Sequence, residues 1–64
     1  MKYVDFVYEI LKADSQGLDA VYEDYILQLV GEEGFKALLQ NNLLEACGVV
    51  SGRQLWAIVE KGMS

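Results

Sequence analysis

The chain has 64 residues, 53% of them hydrophobic, and sets ten acidic side chains against five basic ones for a net charge of −5. A chain of about 60 residues buries only ~60% of the surface it exposes when unfolded, and this apolar content exceeds the ~45–50% usual for globular chains, so one domain with one core is expected, with apolar surface left for a partner. One cysteine, Cys47, and no histidine exclude an intrachain disulfide and a Cys/His zinc site. Asp5 and Glu9 break the apolar stretch near the start, and no run nears the ~18 apolar residues of a spanning helix, so a cytoplasmic protein with no membrane segment, metal or cofactor is expected.

In chain order, Val4, Val7, Tyr8 and Leu11 recur at the spacing of one helix face, widened by Tyr3, Phe6 and Ile10, and predict a helix over about 2–13. Asp14, Ser15, Gln16 and Gly17 form a breaker cluster that ends it. Leu18, Val21, Tyr22, Tyr25, Ile26 and Leu29 predict a second helix over 18–30, opposite Asp19, Glu23, Asp24 and Gln28. In that helix Asp19 and Glu23 make a like-charge pair four residues apart, tolerable only in water. Gly31 marks a corner, and a short third helix over 32–41 carries Phe35, Leu38 and Leu39 inward. Asn42 suits the left-handed position that stops it.

Beyond Asn42 the pattern favours strands: 43–50 and 53–60 flank Ser51-Gly52, a two-residue hairpin turn. A regular register sets Val50, Gly48, Ala46 and Leu44 against Arg53, Leu55, Ala57 and Val59 on one face, whose small residues suit a covering helix layer. The other face pairs Val49 with Gln54, Cys47 with Trp56 and Glu45 with Ile58. It has an apolar centre and a polar rim, so Val49, Cys47, Trp56 and Ile58 are the candidate interface. A slip of one residue exchanges the two roles.

The expected fold is α+β: three short helices followed by a C-terminal hairpin. Ala37 to Glu45, then Ser51 to Ile58, then Glu60-Lys61-Gly62 resemble the recognition helix, wing and exit of winged-helix proteins over about the last half of the chain. The resemblance implies a dimeric DNA-binding regulator in which Lys36 and Gln40 meet the groove and Arg53, at the wing, meets a phosphate. The chain departs from that pattern where Glu32 and Glu33 open the third helix, at a position where a phosphate is commonly held.

Catalysis lacks its usual equipment, since Cys47, Ser15, Ser51 and Ser64 have no histidine to serve as base. The carboxylate pairs Asp5/Glu9, Glu23/Asp24 and Glu32/Glu33 fall on polar helix faces or at a helix start, where solvated charge explains them. The five basic residues are scattered singly, which disfavours nucleic acid and anionic membranes as partners. The sequence therefore points first to a non-enzymatic interaction or self-association module, with a homo-oligomer expected and Trp56 as an anchor. A minimal winged-helix DNA binder is the alternative.

Overall fold

A computed structural model describes residues 2–16 and 18–60. Gly17 of the breaker cluster, and Lys61, Gly62 and Ser64 at the end, lie outside the described residues. The elements run α1 (Tyr3–Asp14), β1 (Ala20–Tyr22), α2 (Glu23–Gln40), β2 (Leu44–Val50) and β3 (Arg53–Ile58).

Helix α1 follows its apolar stripe, burying Val7, Tyr8 and Leu11, with Asp5 in the first turn and Lys12 in the last, each favourable to the helix dipole. Ser15 closes it: its N–H donates to the Leu11 carbonyl at 2.9 Å and its hydroxyl to the same oxygen at 2.6 Å. Both donors of a residue only 3% exposed are thereby satisfied, and its carbonyl accepts from the Leu18 N–H at 2.8 Å.

The helix expected over 18–30 begins only at Glu23, and Ala20–Tyr22 is a strand instead. Val21 is buried in this strand and would also face inward in a helix, so its apolar spacing does not discriminate between the two states. Pairing with β3 decides it: Ala20, Val21 and Tyr22 oppose Ala57, Trp56 and Leu55 in antiparallel register, and the Ile58 N–H donates to the Asp19 carbonyl at 2.9 Å. The strand also removes the helical Asp19/Glu23 repulsion.

The second and third expected helices are one element, α2, broken at Gly31, whose backbone (φ 79°, ψ 174°) is non-helical. The break closes up around Gly34, where an added Cβ would lie 2.7 Å from Val30 Cβ and 3.2 Å from Val7 Cγ1. Asn42, at φ 57°, takes the left-handed position expected of it.

Ser51 (φ 52°) and Gly52 (φ 76°) make the expected two-residue turn, with both central residues at positive φ as the twist of a hairpin requires. The sheet order is β1-β3-β2. The class is α+β as expected, but the arrangement of three helices and a hairpin is replaced by two helices and a three-stranded antiparallel sheet.

The register also differs from the regular one. Val50, Val49 and Gly48 oppose Arg53, Gln54 and Leu55 as expected; Cys47 is then bulged out, and Ala46, Glu45 and Leu44 oppose Trp56, Ala57 and Ile58. Gly48 has φ 123°, a conformation that a side chain would strain, and its carbonyl accepts from Gln54 Nε2 at 3.0 Å. The bulge puts Leu44 and Ile58 together in the core with Val7, Leu11, Val21, Ile26 and Leu38, and Trp56 packs against them. The helices thus cover the Trp56/Ile58 side of the sheet, and the Leu55/Ala57 side expected to meet them faces away.

The chain's exit from β3 is fastened to α1, since the Tyr8 hydroxyl donates to the Val59 carbonyl at 2.8 Å. Tyr8→Phe should lower stability by about 0.5–1.5 kcal/mol, the net worth of one such bond. Gly34→Ala should lower it by about 1–3 kcal/mol through overpacking, outweighing the helix propensity it gains. Denaturant titration followed by circular dichroism checks both, and a Gly34→Ala variant as stable as the wild type would show that Val30 yields freely.

Candidate interaction surface

Side chains alternate along β3, so its even and odd positions look to opposite sides of the sheet. Trp56 and Ile58 point to the helices. The indole stacks edge-on against Phe35, ring centres 5.5 Å apart at 75°, and its Nε1 donates to Glu23 Oε1 at 3.1 Å. That hydrogen bond satisfies the one polar group of a half-buried ring.

Arg53, Leu55 and Ala57 occupy the other side, next to Tyr22 and Ala20 of β1. The Arg53 guanidinium lies 4.1 Å from the centre of the Tyr22 ring and donates to Asp24 Oδ2 at 2.7 Å. This bond holds the Asp24 carboxyl below its ordinary pKa, helped by the backbone amide at the start of α2. Both partners are largely in water, so the pair orients Arg53 more than it stabilises the fold.

A groove of about 530 Å³ lies beside β1, lined by Leu18, Ala20, Tyr22 and Leu55 together with Arg53, Asp14 and Tyr25. The Tyr25 hydroxyl donates to the Asp14 carboxylate, which pushes the phenol above its ordinary pKa. The groove offers apolar contact framed by one cation and one anion, each already partnered within the chain. Among the described residues, no three His, Cys, Asp or Glu side chains gather as a metal site would require. No helix among them is long and apolar enough to cross a membrane.

Strand β2 is one of the two edge strands, with a strand neighbour on one side only among the described residues. Its residues from Glu45 to Val50 are all exposed, Val49 at 64% and Val50 at 45%. Of the expected interface residues, Cys47 and Val49 lie together on this strand, Cys47 as a free, exposed thiol. Trp56 and Ile58 belong to the helix-facing side, Ile58 only 9% exposed, so the four do not form one patch. Lys36 and Gln40 are exposed one turn apart on α2, Lys36 sharing a shallow groove with Glu23 and Glu32, and Arg53 is engaged by Asp24. Tyr3 and Phe6 are further exposed aromatics on α1.

The sequence reading missed Ala20, Tyr22 and Leu55 as surface-forming residues because it placed the first two on a helix and the third in the core. Two signals pointed to the strand: the Asp19/Glu23 repulsion in the helical alternative, and the strand preference of adjacent Val21 and Tyr22.

Because the Tyr25 pKa is raised in the folded state, its hydrogen bond contributes stability that is fully present below the ordinary tyrosine range. That contribution is lost as pH rises through the raised value. Phenolate absorbance should show one tyrosine ionising later than in the unfolded chain, and Tyr25→Phe or Asp14→Asn should abolish that late step. Late ionisation that survives in both variants would assign it to another tyrosine. Comparison with protein-family models, with curated proteins and with solved structures finds no match for the chain, which leaves the winged-helix resemblance resting on the residues that suggested it.

Proposed function

We propose that the protein is a non-enzymatic interaction module that binds protein, either its own kind or another, through the side of the sheet turned away from the helices and the adjoining strand β2. The observation that carries this is the exposure of β2 along its length from Glu45 to Val50, joined to the apolar row formed by Ala20, Tyr22, Leu55 and Ala57. Monomeric proteins generally cover or charge an outermost strand, because its unpaired N–H and C=O groups template pairing with another chain. Between Glu45 and the turn this strand bears no charge and no proline.

The groove on β1 supports the same function, since a recess of this size walled by Leu18, Tyr22 and Leu55 accepts an apolar side chain from a partner. A DNA-binding role for Lys36, Gln40 and Arg53 receives less support. Lys36 lies beside Glu23 and Glu32, Arg53 is spent on Asp24, and a net charge of −5 opposes approach to a phosphate backbone.

Leu55→Glu places a carboxylate in the middle of the apolar row while leaving the helix-facing side intact, so the fold should persist by circular dichroism. Affinity capture from the native cell should then lose the proteins that the wild type retains, itself included, by at least about tenfold. Retention of the same proteins by the variant, or of none by the wild type, would overturn the role of this surface. Absence of any gel shift with mixed-sequence DNA at low salt is the parallel expectation, and a salt-sensitive shift would restore the DNA-binding alternative.

A further inference from the structure

We propose that a second copy of the chain pairs with this one through β2, strand against antiparallel strand, to give a continuous six-stranded sheet; this names the partner for part of the surface just described and rests on that interaction role. The backbone itself sets the register. The Ile58 N–H points toward β1 and the Val59 N–H toward the chain leading into β2, where it donates to the Leu43 carbonyl at 3.0 Å. Groups alternate along an antiparallel ladder, so Ala57 and Arg53 spend theirs on Glu45 and Val50, their opposite numbers in β2. Ala46 and Val49, which oppose Trp56 and Gln54, turn theirs outward to the free edge.

A two-fold axis between Cys47 and Gly48 brings Ala46 of each copy opposite Val49 of the other, so that outward groups meet outward groups at two places. The same register sets Glu45 opposite Val50 of the second copy. Faces are conserved across the join: Ala46 and Val49 stay on the helix-facing side, and Glu45 and Val50 stay on the outer side with Ala57 and Arg53. The bulge at Cys47, which would interrupt a long ladder, falls on the axis, between the two short stretches that pair.

Charge favours this edge over that of β1. A chain of net charge −5 associates with itself only where its carboxylates are kept apart. In this register the two Glu45 side chains are about 14 Å apart along the strands, since the bulge lets residues 45–50 span only four residues of β3, still beyond the roughly 8 Å over which salt lets charges interact at physiological strength. Glu45 of the second copy instead shares a row with Val50 and Arg53, two strand spacings or about 10 Å from an Arg53 guanidinium that is already paired with Asp24. Self-pairing through the free edge of β1 has the opposite character, because Asp19, Glu23 and Asp24 flank that three-residue strand.

Sedimentation equilibrium of the full chain across a concentration series tests the pairing, with a reversible dimer expected. Val49→Pro removes an outward N–H that the chain's own ladder does not use, and Val49→Lys puts a charge at a 64% exposed edge position without touching the backbone. Each should raise the dimer dissociation constant at least about tenfold, because the two-fold axis applies the loss twice. The register is read in a Cys47→Ser background: chains bearing Ala46→Cys and chains bearing Val49→Cys should cross-link to one another under mild oxidation faster than either does to itself. A wild type that stays monomeric at the highest concentration, a dimer unmoved by both Val49 variants, or cross-linking without that preference would overturn the proposal. A monomer that still captures a different protein through Leu55 would refute self-pairing alone and leave the interaction role standing.

Discussion

The pairing of three residues, Ala20–Tyr22, with β3 is the constraint from which the rest of the arrangement follows. It makes β3 the central strand, with hydrogen bonds spent on both sides, and consigns β2 to the edge. It also fixes where α2 begins. Tyr22 ends the strand in an extended conformation, and Glu23 and Asp24 follow in the first helical turn, where their carboxylates meet the positive end of the dipole. From there Glu23 accepts from the Trp56 indole and Asp24 from Arg53, so the helix start is tied to the far end of the hairpin.

The second determinant is the bulge at Cys47. In a regular hairpin Leu44 would lie opposite Val59, with Ile58 on the other face of the ribbon from it. Displacing one residue moves Leu44 opposite Ile58, and both reach the core. Gly48 supplies the backbone angle, and the Gln54 amide ties its carbonyl across the ladder, so two residues of no apparent consequence in the sequence decide which face of the sheet is inside. Among the described residues, no element covers the surface that the small residues Ala57, Gly48 and Ala20 then line, although their size would have suited close helix packing.

Much of this was legible in local chemistry. The α1 stripe is set by apolar spacing over three turns, the Ser51-Gly52 turn, the left-handed Asn42 and the corner at Gly31 each by one or two residues whose conformational preferences are strong, and all appear in the structure. The strand at Ala20–Tyr22 was signalled only by the Asp19/Glu23 repulsion and the preferences of Val21 and Tyr22, and the bulge by nothing local, because both are settled by distant partners: β3 for the strand, Trp56 and Leu55 for the bulge. Apolar spacing at Leu18, Val21, Tyr22, Tyr25 and Ile26 satisfies a helix and satisfies a strand turning into a helix equally well. The interface expected at Val49, Cys47, Trp56 and Ile58 inherits the same error, since a one-residue displacement sends the last two inward and leaves only the first two on the edge.

Charge placement completes the logic of the surface. The basic groups nearest the sheet are used internally: Lys12 binds Glu60 at 2.7 Å, which raises its pKa above the ordinary lysine value, and Arg53 binds Asp24 at the same distance. Around β1 and the start of α2 lie three carboxylates, Asp19, Glu23 and the Arg53-paired Asp24, while β2 carries only Glu45 at its far end. One edge of the sheet is thus defended by like charge and the other is not. If the domain binds through this edge as proposed, repulsion around β1 would steer partners away from the other one, and repulsion is screened by salt whereas strand pairing is not. Ionic strength should therefore relax the specificity of this surface while changing little of the backbone complementarity that β2 offers.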